Sequence, residues 1–321
     1  DNQLDIYKES VNYLTGYKYL CNEQLASKLI GLLAYQQYMQ SKGEKVKVDK
    51  AIRSIIHRLT NHQNKHQLWS WWGNSENTSF WMSAHILRAL KMAQDAGYPV
   101  ELNLNGLKVE YAHTRPYRGM KLEDIEILHA LHEWKVEADY SSAVRLLEPF
   151  VRQLEQKEDS LAGRNKYYRP LSYLKEKLLL WEIKQQVDSV NVGDSVRPYL
   201  KKDLLGGVYC DDGRRTYYWE GNQLINTLIA YRIIKNDSSL WKLKENMQLY
   251  ILRTKERGWN TYQASSAVAT VLTDLLADSG GMSGISVSVS GKDHQRITDF
   301  PYHTRLTAGD SLLISKTGKE P

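Results

Sequence analysis

Cysteine is scarce in this chain: two residues in 321, Cys21 and Cys210. Two are too few for a disulfide scaffold. Long apolar runs are missing as well, and nothing approaches the roughly 18–20 residues that a membrane-spanning helix needs. The first residues, Asp1-Asn2-Gln3-Leu4, contain neither an initiator Met nor the charged-then-apolar pattern of a signal segment. The chain therefore reads as a mature protein or a piece of something longer. A surplus of one charge is also lacking. The 43 basic residues stand against 37 acidic ones for a net charge of +6, and they are scattered among each other, which counts against a nucleic-acid partner. No glycine-rich phosphate loop and no Ser-His-Asp pattern occurs.

The remainder is an ordinary globular composition, 42% hydrophobic and 25% charged, with enough length for one large domain or two average ones. Its aromatics are unevenly chosen: Tyr 21 and Trp 9, but Phe 3. Tyr and Trp pair an apolar body with a polar tip, so they suit clefts and cavity rims as well as cores.

Apolar spacing predicts helix over most of residues 5–278. Predicted helices cover Gln24–Gln40, a stretch beginning at Asp49 as a cap with Ile52, Ile55, Ile56 and Leu59 inward, and Thr78–Ala93. Further helices are expected at Leu122–Trp134, Tyr140–Glu155, Pro170–Gln186, Asn222–Ile234, Leu240–Arg253 and Tyr262–Ala277. Two places break the pattern. Residues 99–120 alternate apolar and polar around Asn105-Gly106, which predicts a β-hairpin. Beyond Gly280-Gly281, Ile285–Ser290 and Ser311–Ser315 have strand periodicity. A domain boundary is expected near 280, with 1–280 a helical domain and 281–321 a strand segment of an adjacent β-domain that is mostly absent.

The helical part repeats loosely. An aromatic turn with glycine precedes an apolar helix at Leu68–Gly73, at Gly207–Cys210 with Tyr217, Tyr218 and Trp219, and at Gly258–Thr261. Such turns before inner helices are how an α/α toroid sets aromatics around one end.

Chemistry concentrates at Cys21-Asn22-Glu23-Gln24, where a helix begins. Cys and Gln three apart share a helix face, so the thiol meets the carboxamide carbon. Loss of ammonia from that pair gives an internal thioester. It is an acylating agent, because a thiolate leaves far more readily than an alkoxide. It lasts only where water is kept away. Tyr17, Tyr19 and the Trp-rich turns, Trp72 and Trp81 among them, are residues of the type that shield or shape such a bond, and Glu23 shapes its turn. Other constellations carry less. Cys210-Asp211-Asp212 resembles part of the zinc site of protein prenyltransferases, yet the next histidine is His294, beyond the helical domain, so no metal site is assigned. A Cys21–Cys210 disulfide is the competing use of both thiols.

Cys-x-Glu-Gln leading into a long helix resembles the thioester motif of the alpha-2-macroglobulin and complement proteins. The likeness continues through Thr60, Trp69-Ser-Trp-Trp-Gly73 and Thr78-Ser-Phe-Trp81-Met-Ser-Ala84, and again at Gly258–Ala267. It covers roughly residues 5–278 and is nearest to the bacterial alpha-2-macroglobulin-like proteins. The resemblance implies an all-α fold, an α/α toroid of about six helix pairs set in a chain of β-sandwich domains, with the tail as the returning β-segment. It implies a thioester domain that captures nucleophiles of an attacking protease, a single-use acyl transfer and not an enzyme. It also implies target proteases and other domains of the same chain as partners, no cofactor, and a periplasmic or extracellular location with an anchor in missing parts. One departure stands out: Leu20 precedes the cysteine where the family usually has Gly. Some complement members use a later histidine to direct the bond to hydroxyls. His113 is the nearest match, with His129 and His132 also in range, and amine preference is the expectation otherwise. Two alternatives remain open at the sequence level: a toroid enzyme acting on a glycan or isoprenoid in an aromatic cleft, and a toroid without the bond that serves structure or binding.

Overall fold

The computed structural model describes residues 3–18, 20–111, 119–216, 223–272, 274, 284–289, 292–297 and 305–317. Twelve helices appear among them: α1 Gln3–Gly16, α2 Asn22–Ser41, α3 Asp49–Asn61, α4 Phe80–Asp95, α5 Asn105–Val109, α6 Asp124–Glu133, α7 Tyr140–Arg164, α8 Leu174–Val187, α9 Gly193–Val196, α10 Gln223–Ile234, α11 Trp241–Thr254 and α12 Thr261–Ala267. The even-numbered helices touch in a closed circuit, α2 to α4, α6, α8, α10, α12 and back to α2. Odd-numbered α1, α3, α7 and α11 pack outside them. The chain is thus an all-α toroid of alternating outer and inner helices.

Side-chain pattern sorts the two layers. Outer α3 buries Ile52, Ile55, Ile56 and Leu59, and outer α7 buries Tyr140, Ala143, Val144, Leu147 and Val151. Each is a single apolar stripe. Inner helices are buried on every face. In α10 the run Leu224–Tyr231 is buried without a break, and α2 buries Leu25, Ala26, Leu29, Ile30, Leu32 and Leu33 along with Asn22, Glu23 and Ser27. Because each inner helix is entered from an outer one, the inner helices run parallel and begin at the same end of the ring. Paired contacts at matching depth show it: Ser27 near the start of α2 meets Ser265 near the start of α12 and His85 near the start of α4.

Strands are few. β1 Leu200–Lys202 and β2 Val208–Cys210 form an antiparallel pair just before α10, in the segment read from sequence as an aromatic turn. β3 Gly284–Val289 lies between β4 Lys292–Ile297 and β5 Leu312–Thr317, antiparallel to both. The expected strands at 285–290 and 311–315 correspond to β3 and β5.

In the described part of the hairpin expected at 99–120, residues 99–111 and 119–120, no strand forms. Asn105-Gly106 opens α5 instead of a two-residue turn, and residues 101–104 are irregular. Gln67 is the cause. Its Oε1 accepts from the Leu107 backbone N–H at 3.1 Å and caps this short helix. A Cβ on Gly106 would stand 2.9 Å from the same oxygen, so glycine serves close approach here and not a positive φ. Nor does Asp49 cap α3. The cap position is Val48, and the Asp49 carboxylate accepts instead from Tyr98 Oη and from Gln36 Nε2 at 3.0 Å. Helix α7 runs nine residues past the expected Glu155, to Arg164, and α8 begins at Leu174 and not at Pro170.

Gly31 is where α1 seats on α2: a Cβ there would lie 2.7 Å from Leu14 Cβ, against a fully buried side chain. Gly31→Ala is expected to lower stability by about 1–3 kcal/mol through overpacking despite its better helix propensity. Urea unfolding followed by Trp fluorescence checks the sign; a stabilised variant refutes the close packing.

Candidate functional site

Cys21 is the N-cap of α2, in extended backbone with φ −69° and ψ 172°. Gln24, three residues on, folds its side chain back so that Oε1 accepts from the Cys21 backbone N–H at 3.1 Å. In return the Gln24 backbone N–H faces the Cys21 sulfur, a weak acceptor. This reciprocal cap brings the carboxamide of Gln24 and the thiol of Cys21 together on the first turn. Leu20 needs no glycine: positive φ among described non-glycine residues occurs only at Gln67, Lys135 and Ser189.

The same box recurs at α12. Asn260 Oδ1 accepts from the Gln263 N–H at 2.8 Å, and Gln263 Oε1 accepts from the Asn260 N–H at 3.2 Å. Side-chain oxygens of Asn, Asp, Ser and Thr make good N-caps. A sulfur makes a poor one, so Cys21 occupies a position that capping alone does not explain.

Asn22 ties the motif to the Trp-rich turn. Its backbone N–H donates to Trp71 O at 3.0 Å, and its Nδ2 donates to Ser70 O at 2.8 Å and Gly73 O at 3.0 Å. His62 Nδ1 lies 2.6 Å from Asn22 Oδ1. Trp71 meets Trp81 edge-on at 5.8 Å, and Trp81 meets Tyr262 at 5.2 Å. Trp81 is half-buried in this chain of rings, whereas Trp72 is exposed at 67%. Tyr17 holds its ring edge-on to Tyr13 at 5.8 Å, and its carbonyl accepts from Lys28 Nζ at 3.3 Å. Tyr19 and His113 lie outside the described residues.

Glu23 turns inward. Oε1 accepts from Ser27 Oγ at 2.7 Å and Oε2 from Thr261 Oγ1 at 2.9 Å. Burial raises its carboxyl above the ordinary range although both hydroxyls work against the shift. Burial likewise pushes the Cys21 thiol up, with the Glu23 charge adding to it. His85 Nε2 stands 3.0 Å from Ser27 Oγ, and its ring packs edge-on to Tyr262 at 4.9 Å. His85 is not legible in the sequence, because a lone histidine on an apolar helix carries no motif; only ring closure brings it to Ser27. Cys210 takes no part in this network. It is buried, unbonded to Cys21, and burial pushes its thiol up to about 12.

Farther along the axis the ring interior is ionic. Arg88 donates to Glu133 at 3.0 Å, Lys175 pairs with Glu126 at 2.5 Å, and Arg232 grips Glu182 with two bonds of 2.8 Å. His129 Nε2 lies 2.7 Å from Glu182, and His132 packs edge-on to Tyr140 at 4.9 Å, so neither serves the Cys21 end. The adjoining axial cavity is about 70 Å³, lined by Arg88, Glu126, Lys175, Arg232 and Tyr262 among others. A wider cleft of about 470 Å³ opens at the starts of α10 and α12, with Gln223, Tyr250, Arg257 and Trp259 on its walls. Among the described residues no His, Cys, Asp and Glu cluster has the makings of a metal site.

Burial, with the nearby Arg88 charge, holds His85 down to about 3. Its folded value lies below that of the unfolded chain, so the unfolded form binds the extra proton as pH falls below about 6.5, and stability drops through that window. The native state is expected to lose about 2 kcal/mol through this imidazole between pH 7.5 and 5. His85→Gln should lack that part of the slope. Urea titrations at the two pH values decide it, and equal slopes in both proteins refute the neutral, buried assignment.

No family model matches the chain, and no curated protein sequence matches it. Solved structures do. Native alpha-2-macroglobulin from E. coli aligns over 98% of this chain and 18% of its own, with a TM-score of 0.58 and 16% identity. The E. coli protein spanning domain MG7 to the C-terminus aligns over 97% of this chain and 46% of its own, at 0.56 and 15%. Salmonella alpha-2-macroglobulin reacted with methylamine aligns over 98% and 19%, at 0.53 and 14%. At these identities the likeness is one of fold, and this chain has the fold of a stretch of bacterial alpha-2-macroglobulins that is under a fifth of the E. coli protein's length.

Proposed function

We propose that Cys21 and Gln24 form an internal thioester and that the chain is the thioester domain of a bacterial alpha-2-macroglobulin-like protein. The observation that carries this reading is the reciprocal cap, with a cysteine where a capping oxygen belongs and a glutamine amide folded onto it. In formation, Cys21 Sγ bonds to Gln24 Cδ, the C–N bond breaks, and the thiol proton leaves with ammonia. In capture, an amine attacks Cδ, the C–S bond breaks, and the amine proton ends on sulfur. Gln24 is then joined to the nucleophile and Cys21 is a free thiol. The event happens once per chain, so it is acyl transfer without turnover.

Support for the setting comes from fold and neighbours. One solved relative in fold was reacted with methylamine, an amine of the kind such a bond takes, and another was activated by porcine elastase. In this reading the partners are attacking proteases, through amines such as lysine side chains, and other domains of a longer chain. Residues 1–280 are the thioester toroid and 281–321 a strand segment of a neighbouring β-domain, and the setting is periplasmic or extracellular. Exposed Trp72, with Trp71 beside it, is the surface on which a covering domain keeps water from the bond. His113 remains the candidate for steering the bond toward hydroxyls; without it amines are preferred. An isoprenoid or glycan enzyme working in the ring axis fits poorly, since about 70 Å³ of space walled by ion pairs is far below the ~300 Å³ of small-molecule pockets.

Freshly prepared chain is expected to weigh about 17 Da less than its sequence, for the ammonia lost, and methylamine should add back about 31 Da. Cys21→Ser should have sequence mass less only the substitution and take up no amine. A fresh wild-type mass equal to the sequence, with Cys21 alkylated at once, refutes the thioester.

A further inference from the structure

The ring closes at a polar seam. Its first and last inner helices, α2 and α12, meet through two rungs, Glu23 to Thr261 at 2.9 Å and Ser27 to Ser265 at 3.0 Å. Both rungs join residues 238 apart in sequence, and they lie one helical turn apart. His85 of α4 reaches the same Ser27 oxygen. The hydrogens can be counted. Ser27 gives its one proton to Glu23 Oε1, so across the 3.0 Å rung Ser265 donates to Ser27 Oγ. Ser27 has no second proton to give, so His85 presents Nε2–H to it. Both oxygens of Glu23 are thus committed to hydroxyl donors, and among the described residues no cation pairs with it. Tyr13 of α1 and Cys21 are the titratable groups that feel its charge, with His85 of α4 across Ser27. In sequence Glu23 stands between Asn22, bound to the Trp turn, and Gln24, folded onto Cys21.

We propose that Glu23 is a positioning residue for the Cys21/Gln24 pair: it pins the first turn of α2 across the ring seam, and its uncompensated charge opposes release of negative charge onto Cys21 Sγ. The role in acyl transfer rests on the thioester reading; the action on the Cys21 thiol does not. When an amine attacks Gln24 Cδ, the electron pair of the breaking C–S bond moves to sulfur, beside a carboxylate with no counter-ion among the described residues. That slows leaving, and so protects the bond until a strong nucleophile is at hand.

The test uses the whole chain with Cys210→Ala, so that Cys21 is the sole thiol. Two quantities are read: the rate of methylamine opening by intact mass, and the pH profile of Cys21 alkylation by iodoacetamide after opening. Glu23→Gln should open about three- to ten-fold faster and shift the alkylation midpoint down by about one pH unit. Thr261→Val removes one donor from the carboxylate and concentrates its charge, so opening should slow about two-fold and the midpoint should rise. Opposite signs separate charge from looseness, because a merely loosened seam exposes the thiol and speeds both variants. Should Glu23→Gln fail to fold, the Thr261→Val sign decides alone. Coincident alkylation profiles, or acceleration in both variants, overturn the proposal. A wild-type chain with no mass deficit removes the thioester, while the alkylation profiles still decide the action of Glu23.

Discussion

The whole Cys21 end of the ring depends on a carboxylate buried where a ring of helices has to close. A toroid whose first and last inner helices are 238 residues apart in sequence needs a contact that brings them into register, and apolar packing alone registers poorly because it is non-directional. Glu23 supplies direction. Its two oxygens are met by Ser27 on its own helix and Thr261 on the partner helix, and an unmet buried carboxylate would cost several kcal/mol. Any slip between α2 and α12 strands that charge. The rung one turn below, Ser27 to Ser265, reinforces the same register.

Closure at that point also arranges the surface above it. Asn22 is held by three hydrogen bonds to the Trp-rich turn, and Gln24 is curled over Cys21. Consecutive residues of one helical turn thus point to three places: the aromatic turn, the ring seam and the cap. The aromatic excess of the composition finds its use here, as Trp71, Trp81 and Tyr262 stack edge to face from the turn toward the ring interior. Below them the ring axis is lined with ion pairs around a cavity of only about 70 Å³.

Much of the helical fold is legible in the apolar spacing because outer helices such as α3 show one stripe and inner ones such as α10 show apolar residues all round. The cysteine and glutamine of the cap are legible too, since three-residue spacing at a helix start depends only on local geometry. Illegible were features made by distant partners. Asn105-Gly106 reads as a hairpin turn until Gln67, 40 residues earlier, caps the helix that forms there. Asp49 reads as a helix cap until Tyr98 and Gln36 draw its carboxylate away. Gly207–Cys210 reads as a turn, yet its Val208–Cys210 pairs with Leu200–Lys202 as β2.

By itself the sequence determined much of the local chemistry: where most of the long helices lie, which of their faces are apolar, and that a thiol and a carboxamide share the first turn of α2. Those follow from periods of a few residues. The tertiary structure alone decided that His85, Ser27, Glu23 and Thr261 share one hydrogen-bonded network, that the ring interior is ionic, and that Trp72 faces outward while Trp81 is packed. These depend on how the ring closes, and closure is a relation between residues more than two hundred positions apart that no local pattern encodes.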